Sequence, residues 1–208
     1  SMVLPASAQV ADNGRQQIEG VVEAFRTAII DKDKDKFMQL FLREETTWIT
    51  SVTERSRDLT MARNPDKPHR PPKTDIPGTP RKFIENIAGR SSRDEETFKN
   101  VRIDTDGEVA QVWFDYVFNS DGYAANWGKE AWQLVRTDAG WKIVSVIWST
   151  EFNPVLPARK SDAAIRHPAA APGATAGSIT PDLRRAASQR PAAALSYAPH
   201  RQPAIAAM

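Results

Sequence analysis

The chain has 208 residues, enough for one well-buried domain and too few for two ample ones. Its formal net charge is +2, yet seven of the 28 Lys/Arg and only two of the 26 Asp/Glu lie from Pro154 on, so the preceding part is net acidic. That argues against a basic nucleic-acid face on the folded part, and the absence of cysteine excludes disulfides, thiolate metal sites and cysteine nucleophiles.

The first residues, "VLPASAQ" (3–9), read as the end of a secretory signal, with Ala6-Ser7-Ala8 before a cleavage point at Gln9. The basic leader and most of an apolar segment are missing, so a disordered N-terminus is the alternative reading of residues 1–12. The corresponding locations are periplasmic or secreted in the first case and cytoplasmic in the second. No apolar run approaches the ~18–20 residues of a membrane span.

Prolines cluster at 65–80 and from Pro154 on, leaving 6–64 and 81–153 free for regular structure. Residues 14–31 have the pattern of an amphipathic helix. Asn13 is the expected cap with Gln16 as its partner, and Ile18, Val21, Val22, Phe25 and Ile29 fall on one face. "DKDKDK" (31–36) is a charged break lacking the glycine and terminal glutamate of a calcium loop. A short second helix follows, with Phe37, Leu40 and Phe41 inward. "TTWITSV" (46–52) is β-branched and predicts a strand. Residues 53–80 read as a long irregular loop. Its Arg55, Arg57, Arg63, Lys67, Arg70 and Lys73 suit either a lid presenting cations to an acidic ligand or a plain solvated loop. Thr79-Pro80 opens a third helix with Phe83, Ile84 and Ile87 inside, and Gly89 ends it.

From residue 96 the apolar period becomes two. Strands are predicted at 96–104, 108–120, 124–137 and 141–152, joined by the short turns "TDG", "DGY" and "DAG", which force antiparallel neighbours. The expected fold class is therefore α+β: three N-terminal helices on one face of a strongly curved antiparallel sheet, spanning 13–153. Residues 154–208 are rich in Ala, Pro and Arg and are expected to form a disordered tail.

The stretches "IEGVVEAFRTAIIDKDKDKFMQLF", "EVAQVWFDYVF" and "GKEAWQLVRTDAGWKIVSVIWS" resemble the SnoaL-like, nuclear transport factor two-like superfamily over roughly residues 14–152. The resemblance implies a ketosteroid-isomerase-like, cystatin-like cone whose sheet curls around the helices to leave a cavity. It places Phe114, Tyr116, Phe118, Glu130, Trp132, Leu134 and Trp148 on the cavity side. Alternation along each strand independently puts the residues of each strand's set on one face. Trp48, on the earlier strand, joins this ligand-binding set. The same superfamily hosts isomerases, dehydratases, polyketide cyclases, oligomerisation modules and transport factors, so the fold alone assigns no activity.

Three readings of function follow. In the first, the domain binds a small hydrophobic or aromatic ligand in an aromatic-lined cavity; the competing reading of Trp132 and Trp148 is core packing. In the second, Glu130 and Tyr116 are catalytic in a proton-transfer enzyme, an isomerase or lyase of isomerase, dehydratase or polyketide-cyclase type that needs no metal or cofactor. A salt bridge from Glu130 to Arg136 or Lys129, or an exposed strand end, is the alternative. Ketosteroid isomerase, which uses carboxyl groups together with a tyrosine, is the chemical precedent. In the third, the convex face with Trp113, Asp115 and Val117 pairs with a second copy as a homodimer, and the cavity is vestigial. No histidine falls in a predicted regular element, which removes the commonest acid/base residue and any multi-histidine metal site.

Overall fold

Helix α1 spans Ala6–Asp31 in the computed structural model, which describes residues 6–66 and 68–157, with side chains described from Asn13 onward. Ile18, Val22, Phe25, Ala28 and Ile29 form its buried stripe, as the 3.6-residue period requires. The helix starts ahead of Asn13, so that residue is not its cap. Asn13 instead lies inside the helix, where its Oδ1 accepts a hydrogen bond from Gln17 Nε2 at 3.3 Å. The start of α1 also falls within the stretch read as a signal remnant or disordered lead-in. Residues 1–5 and the tail from 158 lie outside the described residues.

Asp33 turns the charged break into a helix start. Its carboxylate accepts from Lys36 N at 3.0 Å and caps α2 (Lys34–Gln39), which buries Phe37. Strand β1 (Thr47–Val52) follows.

Residues 53–80 are not an irregular loop throughout. Thr53 caps a ten-residue helix, α3 (Glu54–Arg63), by accepting from Ser56 N at 3.2 Å, and Thr74–Asp75 form a short strand, β2. Helix α3 has no apolar stripe, so periodicity could not reveal it. Polar contacts dock it instead: the buried Ser56 hydroxyl accepts from Phe152 N at 2.8 Å, and Glu151 bonds both Thr53 and Arg55. Helix α4 (Pro80–Ala88) matches expectation, with Thr79 as cap, Ile84 and Ile87 buried, and Gly89 at its end.

The remaining strands are β3 (Asp94–Thr105), β4 (Val109–Ser120), β5 (Tyr123–Thr137) and β6 (Gly140–Phe152). They form the expected antiparallel meander, but the sheet has six strands, ordered β2-β1-β6-β5-β4-β3. Strand β1 joins β6 in parallel, from Thr47 opposite Ser145 to Val52 opposite Thr150. Hairpin turns constrain only consecutive strands, which is why this pairing is invisible in the sequence. Register shifts at Lys99/Arg102, Phe118/Asn119 and Gln133/Leu134 interrupt the ladders and bend the sheet.

Helices and sheet meet through rings. Phe25 lies 4.8 Å from Phe37 and 4.7 Å from Trp132, and Trp132 lies 5.1 Å from Phe114. These tilted and edge-on arrangements suit aromatic quadrupoles.

One strand position is fixed by lack of a side chain. A Cβ at Gly128 would lie 2.0 Å from the carbonyl oxygen of Ser149, which here swings into the space between β5 and β6. That carbonyl accepts the Tyr116 hydroxyl at 2.9 Å, and Ser149 Oγ accepts from Lys129 N at 3.0 Å. Gly128→Ala must push the two strands apart. It is expected to destabilise the fold by about 1–3 kcal/mol in urea unfolding; an unchanged midpoint would contradict the close approach.

Candidate functional site

The site is built on the inner face of the sheet, at the end where β3 and β5 begin and β4 and β6 finish. Pairing brings Glu96 beside Phe118, Phe98 beside Tyr116, Phe114 beside Glu130, and Glu130 beside Trp148. The residues expected on the cavity side thus share one face, and the structure sorts them by depth. Trp48, Phe114, Tyr116, Trp132 and Leu134 are buried in the core. Phe118 and Trp148 are only partly buried, alongside Phe83 of α4, which sequence reasoning places on the helix's inner face but not in the site, and Phe98 of β3, which it does not select. Trp148 lies 5.1 Å from Trp48, and Phe83 lies 5.4 Å from Trp48 and 6.5 Å from Phe118.

Glu130 is 4 % exposed and, among the described residues, takes part in no salt bridge. Lys129 points to the opposite face and pairs with Asp115, as strand alternation demands. The Glu130 carboxyl accepts a hydrogen bond from Trp132 Nε1 at 2.7 Å. Burial raises its pKa to about 7, against the smaller opposing effect of that bond.

Sequence reasoning misses a second carboxyl, Glu96. It is 5 % exposed, and its pKa stands well above the ordinary value because of burial first and the neighbouring Glu130 second. Its signal is present in the chain: Asp94, Glu96 and Phe98 alternate onto one face of β3. Tyr116 faces the same interior, but its hydroxyl donates to Ser149 O, and burial raises its pKa far above the ordinary phenol range. Among the described residues no hydrogen bond joins Tyr116 to Glu130.

The cations of 53–80 are engaged within the protein. Arg55 binds Glu151, Arg57 and Lys73 bind Glu54, Arg70 binds Glu54 and Asp58, and Arg63 donates to the carbonyls of Asn153 and Pro154. An acidic ligand at these groups would have to displace carboxylates of the protein itself. Lys67 lies outside the described residues. Among the described residues no cluster of three or more His, Asp or Glu side chains is placed to hold a metal ion, and no helix is long and apolar enough to cross a membrane.

No family model and no curated protein matches the sequence. Solved structures similar to the chain include nuclear transport factor two-like and cystatin-like proteins. One, a nuclear transport factor two-like protein with a cystatin-like fold from Novosphingobium aromaticivorans, is 14 % identical, covers 74 % of this chain and 90 % of its own, and has a TM-score of 0.46. A nuclear transport factor two-like protein of unknown function from Pseudomonas putida is 8 % identical, with coverage of 69 % and 90 % and a TM-score of 0.48. A member from Streptomyces avermitilis, named as a candidate dehydratase, is 17 % identical, with coverage of 68 % and 99 % and a TM-score of 0.47. At these scores the likenesses carry no activity across, and the architecture rests on this chain's own strands and register.

Both carboxyls hold a proton more tightly in the folded state than in the unfolded chain. Their contribution to stability is full below the unfolded value of 4.5 and is lost as pH rises through the folded value, near 7 for Glu130. Unfolding free energy is expected to fall by about 2–3 kcal/mol between pH 5 and pH 8 on account of Glu130 alone. Glu130→Gln, which retains an acceptor for Trp132, should reduce that slope, leaving the part due to Glu96. Urea midpoints at the two pH values check this, and a wild-type midpoint that does not fall removes the buried pair.

Proposed function

We propose that the chain binds a small, ring-bearing apolar molecule against Phe83, Phe98, Phe118 and Trp148, with Glu130 as the polar anchor. The observation that carries this reading is the placing of incompletely buried rings beside a carboxyl that titrates near neutrality in an apolar setting. Of the ligand-binding set expected from sequence, Phe118 and Trp148 are the contact residues. Trp48, Phe114, Tyr116, Trp132 and Leu134 back them as a rigid floor.

A proton-transfer reaction of isomerase, dehydratase or cyclase type is the second reading, and the pKa of Glu130 favours it. A general acid or base works best when its pKa lies near the working pH. Tyr116 is a poor partner in that chemistry because its hydroxyl is committed to Ser149. If there is chemistry, Glu130 carries it.

A homodimer through the outer face is compatible with both. Trp113, Ala131, Ile147 and Ile49 stand side by side across four strands, with Trp113 41 % and Ile147 48 % exposed. The Asp115–Lys129 pair borders this apolar row on one side, and Gln111, Gln133 and Ser145 border it on the other. An apolar centre with a polar rim suits an interface.

Titration with 2-naphthol is expected to quench tryptophan fluorescence and raise the melting temperature, with Trp148→Ala weakening binding about tenfold. No quenching and no thermal shift, together with native mass spectra free of any organic adduct, would overturn the binding reading. Light scattering should show a dimer that Trp113→Glu converts to a monomer; a wild-type monomer at high concentration argues against the interface.

A further inference from the structure

Asp94 and Glu96 lie two residues apart on the same face of β3, and both are buried. Their surroundings differ completely. Asp94 receives Ser120 Oγ at 2.7 Å, Ser92 Oγ at 3.0 Å and the Arg90 guanidinium at 3.4 Å. Glu96 has no hydrogen-bond or ion partner among the described residues, although its strand neighbours are well supplied. Glu130 has a neutral donor, the Trp132 indole.

The cations of adjoining segments are committed elsewhere: Arg26 to Glu23 and Glu95, and Arg90 to Asp94, while Lys129 points to the opposite face and pairs with Asp115. Among the described residues, two buried carboxyls thus face one interior with no cation of their own. Ionising a buried carboxyl with no cation beside it costs several kcal/mol, and a second carboxylate nearby adds repulsion, so the pair holds its protons until a cation is supplied. A protein that merely needed a packed core would do better with apolar side chains here.

We infer that the missing cation arrives with the ligand: the site takes an organic ammonium compound, its nitrogen held by Glu96 and Glu130 and its apolar body against Phe98, Phe118 and Trp148. This rests on the binding reading above and narrows it to a chemical class. The rings favour the same class, because the faces of Trp and Phe attract a cation while burying its hydrocarbon. A bare metal ion fits poorly, since two carboxylates among aromatic rings fall well short of the oxygen ligands that a hard cation requires.

Two probes with one carbon skeleton test this on the full chain at pH 7.5: 2-phenylethylammonium chloride and 2-phenylethanol, followed by tryptophan fluorescence and melting temperature. The ammonium compound is expected to bind at least about tenfold more tightly than the alcohol. In Glu96→Gln that preference should shrink to within about threefold, with the affinity for the alcohol retained. Equal or tighter binding of the alcohol to the wild type overturns the ammonium assignment and leaves the apolar reading standing. A preference that persists in both Glu96→Gln and Glu130→Gln overturns it too. Binding of neither probe overturns both readings. The wild-type comparison decides the matter even if a variant fails to fold.

Discussion

Trp132 is the point at which packing and polarity meet. Its ring contacts Phe25 of α1, Phe114 of β4 and Phe98 of β3, while its indole N–H donates to Glu130. The ring contacts hold the helix layer to the concave side of the sheet. The hydrogen bond fixes the Glu130 carboxyl inside, where it would otherwise be a buried acceptor without a donor. A smaller apolar residue at 132 would loosen the core and strand the carboxyl together. Glu130 therefore sits on a strand whose inner face is packed against α1, β3 and β4, which gives its carboxyl a defined position.

The polar groups of this interior divide into two kinds. Asp94, Ser56, Thr50 and Thr150 are answered from within: three donors reach Asp94, the Ser56 hydroxyl docks α3 on Phe152 N, and the two threonine hydroxyls bond each other at 2.8 Å. These groups order the chain. Glu96 and Glu130 are answered poorly or not at all, and their neutral forms are favoured by burial. Well-satisfied polar groups order a fold, whereas unsatisfied buried ones reduce its stability.

Legibility in the sequence follows the strength of the periodic signal. The apolar stripe of α1, the Thr-Pro start of α4 and the four hairpin-linked strands are readable because each rests on local spacing. Helix α3 is not, since its cohesion comes from a cap and from bonds to residues almost a hundred positions away. The parallel pairing of β1 with β6 is likewise non-local. Within the site, alternation puts Glu130 and the β4 rings on the inner face, and the wide aromatic signal draws attention to tryptophans that lie in the core. Glu96 escapes notice because "ETFKNVRID" looks like an ordinary charged strand until β3 is seen as the partner of β4. Burial, which makes a carboxylate interesting, is a property of the assembled layers and not of any one segment.

The two-residue strand β2 has an effect out of proportion to its length. It covers the outer edge of β1 opposite Thr50 and Ser51, between the Pro71-Pro72 and Pro77 stretches, where a longer strand could not continue. At the far edge, β3 is kinked at Lys99/Arg102 and carries alternating charges. Both margins of the sheet are thus poor templates for an incoming backbone. Copies of the chain that meet by their sheet edges therefore find no long, flat, unpaired strand on which endless side-by-side stacking could grow.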